Sequence, residues 1–194
     1  MNVADSRLNL SGDGVRLRPP RASDYEAWAE VRSASRAFLQ PWEPTWPSDD
    51  LTRGAWRRRL SAYGKEREAG EAWRFLIFRE GDEQIVGGVS LSNVRRGVAQ
   101  TGSIGYWAGH AFARRGHTLA GVRAVAAFAF GHLDLHRLEA ACVPDNEPSA
   151  RLLLKAGFRE EGFARKYLKI NGCWRDHRLF GLLSDDVRAG DVTA

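Results

Sequence analysis

SIGYWAGHAFARRGHTLAGVRAV, residues 103–125, reads as a strand, a loop and a helix in succession. Ser103–Ala108 is short, aromatic and flanked by glycines, which suits a strand. From Leu119 onward, Leu119, Val122, Val125, Ala126, Ala129 and Phe130 recur near the helical period and mark an amphipathic helix. Arg114-Arg115-Gly116-His117-Thr118 lies between the two. Backbone N–H groups in the first turn of a helix have no partner within it and carry partial positive charge. With the neighbouring arginines they suit a phosphate. The same residues would equally make a turn with solvated arginines.

At 194 residues, 27% charged and 43% hydrophobic, the chain fits one soluble domain, 1–194, with 1–13 and 185–194 expected as flexible ends. No apolar run approaches the ~20 residues needed to cross a bilayer, and MNVADSRLNL lacks the pattern of a signal peptide, so the expected location is the cytoplasm, with no membrane partner. Cys142 and Cys173 are far apart, giving neither a metal spacing nor a disulfide framework. The net charge of +5 is spread, with local density at Arg57–Arg59, Arg95-Arg96 and Arg114-Arg115. No basic tail interleaved with aromatics is present, so direct nucleic-acid recognition is not expected, while an anionic cofactor would use the same field.

Outward from the opening stretch, Val15–Arg18 alternates and stops at Pro19-Pro20, a first strand. Ser23-x-x-Glu26 reads as a capping box for a helix to about Phe38. Residues 39–47 hold three prolines and cannot be helical. Their tryptophans, Trp42 and Trp46, could line a pocket or plug the edge of the core. Asp49 or Asp50 is expected to cap a second helix, Leu51–Glu68, ended by Gly70. Trp73–Arg79, Gln84–Leu91 and Thr101–Ala108 follow as antiparallel strands. After the helix, His136–Val143 is a strand and Ser149–Ala156 a helix closed by Gly157. Phe158–Gly162, Arg165–Ile170 and Trp174–Leu183 complete the sheet, with Asn171-Gly172 as a hairpin turn. The fold class is therefore mixed α+β: a mostly antiparallel central sheet with flanking helices, in which Ser103–Ala108 and Arg137–Val143 are parallel neighbours. If that pair splays, its unpartnered backbone leaves a slot for an amide-bearing ligand.

Arg115-Gly116-His117-Thr118-Leu119-Ala120 resembles the R/Q-x-x-G-x-G/A pyrophosphate loop of the GCN5-related N-acetyltransferases, with Thr118 standing where the middle glycine usually lies. Asn146-x-x-Ser149-x-x-Leu152-Leu153-x-Lys155-x-Gly157-Phe158 resembles the helix and corner that follow in that superfamily. Tyr167-Leu168-x-Ile170-Asn171-Gly172-x-Trp174-x-Asp176-His177 and Leu39-x-Pro41-Trp42-Glu43-Pro44 resemble its ribosomal-protein alanine acetyltransferase branch. The resemblance covers nearly the whole chain. It implies a splayed parallel pair, acetyl-CoA as cosubstrate, no metal, and direct acetyl transfer to a primary amine. The acceptor implied is the N-terminal alanine or serine amine of a protein such as a ribosomal protein.

The resemblance also distributes roles. The cosubstrate falls to Tyr106, Trp107 and Ala108 on the splayed strand, to residues 115–120 (Arg115, Gly116, His117, Thr118, Leu119, Ala120), and to Asn146 and Ser149. Ser149 lies near the sulfur as a proton donor, with Tyr167 as the alternative donor. Read from residues alone, Asn146 or Ser149 caps a helix. Trp42, Glu43, Asp176 and His177 border the acceptor. Glu139, an acid among apolar neighbours, is either the base acting through a water or a solvated charge at a strand end. Relatives often carry the base two positions later, where this chain has Ala141 on the same face.

Two other functions remain open. One is an enzyme for a small amine (polyamine, antibiotic or amino acid conjugate), which an acidic pocket of Glu43, Asp49 and Asp50 would favour. The other is a non-catalytic acyl-CoA-binding module. Monomer and homodimer are both compatible with the sequence.

Overall fold

The structure, a computed structural model, describes residues 8–190 of the chain. Eight strands form one sheet: β1 Leu10–Gly12, β2 Val15–Arg18, β3 Trp73–Arg79, β4 Ile85–Arg95, β5 Thr101–Ala108, β6 Arg137–Cys142, β7 Arg159–Ile170 and β8 Cys173–Leu183. Their order is β1-β2-β3-β4-β5-β6-β8-β7, and every pair is antiparallel except β5 with β6. The helices are α1 Tyr25–Ala34, α2 Arg36–Leu39, α3 Arg53–Glu68, α4 His117–Gly131, α5 Glu147–Lys155 and α6 Ser184–Gly190. The mixed sheet with a single parallel pair is the one expected from sequence.

Strand β3, WRFLIFR, shows why the sheet is covered on both faces. Successive side chains of a strand point to opposite sides. Phe75 and Ile77 join the core beneath α4, with Val122, Val125 and Ala129, whereas Leu76 and Phe78 join Trp28 and Trp56 under α1 and α3. A strand buried on both faces reads as a continuous apolar run. Each fully buried large aliphatic side chain contributes about 1.5–3 kcal/mol. Trp28 and Trp56 stack with ring centroids 4.5 Å apart and tie α1 to α3. Gly121 lets α4 lie close on the sheet, since a Cβ there would come within 2.8 Å of Ile77.

Several boundaries differ from the sequence reading. Ser23 and Glu26 do not form the capping box. Asp24 takes that place, accepting from the Arg21 N–H at 2.7 Å while both its oxygens bind Arg18. Helix α1 stops at Ala34, and α2 carries the chain on to Leu39. The cap of α3 is Thr52, whose hydroxyl accepts from Ala55 N–H at 3.2 Å. Asp50 is instead buried against Arg59, and Asp49 binds Arg58. Removing the Thr52 hydroxyl, as in Thr52→Ala, is expected to cost about 1 kcal/mol, read as a lower urea midpoint with unchanged slope. The two strands expected over 158–170 are one, β7, bulged between Ala164 and Leu168 where Lys166 has φ of 48°. Strand β1 forms within one segment read as a flexible end, and α6 within the other, extending to Gly190. Residues 1–7 and 191–194 lie outside the described residues.

Candidate active site

Strands β5 and β6 share only three register pairs, Thr101↔Arg137, Gly102↔Leu138 and Ser103↔Glu139. Beyond them the two strands part. β5 stays with β4 as far as Ala108, and β6 stays with β8 as far as Arg178. The facing edges at residues 104–108 and 140–142 therefore carry backbone groups without cross-strand partners, an arrangement that calls for a ligand or water. Tyr106, Trp107 and Ala108 lie on this open stretch.

Connectivity puts two helix starts at the open end of the slot. The chain leaves β5 at Ala108, turns, and enters α4; it leaves β6 at Cys142 and enters α5. At α4 the N-cap is Gly116 with φ of 88°, preceded by Arg114 with φ of 63°, and no side chain caps the helix. The first internal bond is from Ala120 N–H to Gly116 carbonyl at 3.0 Å. The N–H groups of His117, Thr118 and Leu119 thus remain for an anion, flanked by Arg115. Ala120 contributes packing instead: its N–H is used, and its carbonyl lies 3.0 Å from where a Gly12 Cβ would stand. Burial and the nearby Arg79 and Arg115 hold the His117 imidazole below its ordinary range, so it stays neutral beside that cradle. These features fit the phosphates of the expected cosubstrate.

At α5, the Asn146 side chain accepts from Ser149 N–H at 3.2 Å, so the cap uses the Ser149 backbone and leaves its hydroxyl free. That hydroxyl meets the Tyr106 phenol at 2.8 Å, across the slot from β5. Burial pushes the Tyr106 phenol well above its ordinary range, against the pull of this hydrogen bond, so Tyr106 keeps its proton. Burial likewise raises the Cys142 thiol, opposed by Arg178 and by a hydrogen bond with Ser149. The resemblance assigned Tyr106 to the cosubstrate without giving its phenol a part. Its side-chain role was legible in parity, because Tyr106 shares a strand face with Gly102 and Ile104, the face that α4 and α5 cover.

The opposite face opens into a cleft of about 420 Å³ that meets the slot at Gly105–Trp107. Trp107 lies flat on Gly88, where a Cβ would come within 2.5 Å of its indole nitrogen. The Arg32 guanidinium is sandwiched between Trp107 and Trp46, 5.0 and 4.2 Å from the ring centroids. Glu43 holds that guanidinium through both oxygens, at 2.8 and 2.7 Å, and also accepts from the Trp46 indole N–H at 2.7 Å. The loop is tied down from behind, where Asn171 N–H at the β7–β8 turn donates to the Glu43 carbonyl.

Other expected residues fall elsewhere. Trp42 is half-buried and does not line the cleft; Trp46 does. Glu139 sits at the closed end of the slot, paired with Arg137 at 3.2 Å and Arg95 at 3.8 Å. Tyr167 stands half-exposed on β7 against the His177 ring, away from Ser149. His177 is buried, with Nδ1 3.0 Å from the Arg175 carbonyl. Asp176 accepts from Lys166 N–H and pins the β7 bulge. Arg32 escaped sequence reading because its partners come from two other segments, and nothing in the helical pattern of α1 singles it out.

The chain was compared with known proteins. The family described as "Acetyltransferase (GNAT) domain" matches residues 15–159. The chain is 38% identical over 177 residues to a probable N-acetyltransferase, YjcK, of Bacillus subtilis, covering 91% of this chain and 98% of the relative. It is 32% identical over 191 residues to the [ribosomal protein uS5]-alanine N-acetyltransferase of Escherichia coli, covering 97% and 96%. Among solved structures, Mycobacterium smegmatis RimJ in complex with CoA-disulfide superposes with a TM-score of 0.83 at 31% identity, covering 95% of this chain and 93% of that one.

Proposed function

The chain belongs to the GNAT acetyltransferase family and is an N-acetyltransferase; from that premise we propose that it moves the acetyl group of acetyl-CoA to the N-terminal α-amine of a protein, one beginning with alanine or serine, of the ribosomal-protein class. The observation that carries this reading is the charge state of the acceptor cleft. Its carboxylates are already neutralised, Glu43 by Arg32 and Asp50 by Arg59, and Arg74 at its edge is paired with Glu66, so the lining offers a cation no free carboxylate. Such a cleft gives a polyamine no counter-charge and tolerates a chain end carrying a single amine. The uS5-alanine specificity of the E. coli relative supports the same acceptor class.

Bound acetyl-CoA supplies an acyl group activated as a thioester; the chain supplies binding, orientation and protons. The free N–H groups of residues 117–119 and Arg115 hold the pyrophosphate, and the unpaired edges of the slot take the amides of the pantetheine arm. The amine must be neutral to attack. With a reference pKa near 8 for an α-amine against ~10.4 for lysine, roughly one α-amine in ten is neutral at pH 7, against fewer than about one lysine in a thousand. No strong base is then required, and Glu139 is left to hold the last parallel pair with Arg137 and Arg95. The Ser149 hydroxyl, oriented by the Tyr106 phenol 2.8 Å away, gives its proton to the departing sulfur, and the proton the amine sheds on becoming an amide passes to water, from which Ser149 regains its own. Successive residues of a strand turn their N–H groups to opposite edges, and Gly109 N–H, like Trp107, faces β4, so the Tyr106 N–H is the one turned to the slot, where it receives the charge that develops on the acyl oxygen.

The test is CoA release with short peptides beginning in alanine or serine, beside the same peptides acetylated at the N-terminus, a peptide whose only amine is a lysine side chain, and spermidine. Turnover on free N-termini alone is expected; turnover on spermidine alone would move the acceptor to the small-molecule class. Gly88→Ala probes the cleft wall. Its Cβ displaces Trp107 and with it the Arg32 sandwich, so the acceptor KM is expected to rise at least about tenfold, the equivalent of ~1.4 kcal/mol. The acetyl-CoA KM is expected to stay near its original value. A parallel rise in both would mean that the sheet, rather than the cleft, is disturbed.

A further inference from the structure

Strands β7 and β8 continue past α5 as a two-stranded ribbon ending at Asn171-Gly172, and this ribbon is unlike the rest of the surface. Residues 162–175, GFARKYLKINGCWR, contain four cations, and the carboxylate opposite them on β8, Asp176, accepts from the Lys166 backbone N–H. Phe163, Tyr167, Leu168 and Trp174 are 56%, 48%, 44% and 60% exposed, four of the seven exposed large apolar side chains among the described residues. Arg165, Lys166 and Lys169 make no ion pair among the described residues, and only Arg175 is paired, with Asp145. The aromatics occupy both faces. Lys169 pairs with Trp174 and Phe163 with Arg178, on the side of α5, where Arg178 binds Glu147. Leu168 pairs with Arg175 on the other side, where Tyr167 meets His177.

We infer that this ribbon binds single-stranded RNA, stacking unpaired bases on Trp174 and Phe163 while Arg165, Lys166 and Lys169 neutralise the phosphates. Exposed aromatic rings interleaved with unpaired cations meet the two requirements of that ligand, a π-face for each base and a counter-charge for each phosphate. Unpaired loops and bulges are the form in which RNA offers its bases to proteins. A second copy of the chain fits poorly, because two-fold pairing of the ribbon would bring its own unpaired cations face to face. A flat anionic surface fits poorly as well, since it can engage only one of two aromatic faces. The sequence reading expected no nucleic-acid contact for want of a basic, aromatic tail. The fold assembles an equivalent by pairing two strands across a tight turn.

The inference is independent of acetyl transfer and is tested without acetyl-CoA. A fluorescently labelled 12-nucleotide single-stranded RNA of mixed sequence is titrated with the full chain, followed by anisotropy at several salt concentrations. Saturable binding is expected, with Trp174→Ala weakening it about tenfold, as the loss of one stacked base implies. Lys169→Glu is expected to flatten the log–log salt dependence by at least ~0.7 per cation removed. Both variants should retain the parent thermal midpoint and the parent turnover on a short free peptide, which separates lost binding from lost folding. No RNA binding by the parent chain would overturn the inference. So would variants that bind as the parent does, or a blunt duplex of the same sequence that binds as tightly. A dimer in sedimentation that Trp174→Ala dissolves would overturn it in favour of a second copy.

Discussion

Ser149→Ala is expected to lower kcat by on the order of 10²-fold while leaving the KM for acetyl-CoA little changed, because general acid assistance of this kind contributes at least that much. The substitution is clean. The cap of α5 uses the Ser149 N–H, which alanine retains, so the helix start and Asn146 stay where they are. What is lost is the hydroxyl 2.8 Å from the Tyr106 phenol. Tyr106→Phe keeps the serine but removes the phenol that orients its hydroxyl and should fall between parent and Ser149→Ala. Because burial holds the Tyr106 pKa above its ordinary value, the parent chain should show no alkaline decline from this pair up to about pH 10, the reference phenol pKa. Steady-state kinetics from pH 7 to 10 decides the matter. Undiminished kcat in Ser149→Ala would mean that the sulfur takes its proton from solvent.

The largest effect on stability is expected at Asp24. Arg18 and Asp24 are both buried, joined by two bonds of 2.7 Å, and the guanidinium lies 4.2 Å from the centroid of the Phe78 ring. Asp24→Ala strands that guanidinium without its counter-charge and also deprives the Arg21 N–H of its acceptor. Breaking one side of a buried pair costs about 3–5 kcal/mol. For a domain of this size that corresponds to a fall in Tm of roughly 6–20 °C. Combining it with Arg18→Met should recover part of the loss, since a buried pair can often be replaced by apolar groups at little cost. A loss under about 1 kcal/mol in Asp24→Ala would show that the pair is solvated in solution.

Sequence reading succeeded where local chemistry and tertiary structure agree. Trp73–Arg79 and Thr101–Ala108 have the bounds read from their apolar runs, and Gly70, Gly157 and Gly172 adopt the positive φ their turns require. It failed where a distant charge decides a local choice. Ser23-x-x-Glu26 is a valid capping signal, but Arg18 on the neighbouring strand draws in Asp24 and makes Asp24 the cap partner. Asp50 looks like a helix cap and is drawn to Arg59, which leaves the cap to Thr52. In the site, residues of one contiguous motif were legible: Gly116 to Leu119 at the head of α4, and Asn146 with Ser149 at the head of α5. The Arg32–Glu43–Trp46–Trp107 wall was not, since it joins a helix, a proline-bound loop and a strand that only the finished sheet brings together.

The shortness of the β5–β6 ladder has a consequence for how long the protein lasts in a cell. With three register pairs joining the strands from β1 to β5 to the strands from β6 to β8, the seam is the shortest ladder inside the sheet, matched only by the edge pair β1–β2. A ligand seated in the slot bridges both sides of it. Any ligand that binds only the folded form adds RT ln(1 + [L]/Kd), about 2.7 kcal/mol at a hundred times its dissociation constant. With acetyl-CoA as that ligand, as proposed above, resistance of the purified chain to a protease is expected to rise with added acetyl-CoA. A starved cell would clear this catalyst faster than a fed one, without any dedicated sensor.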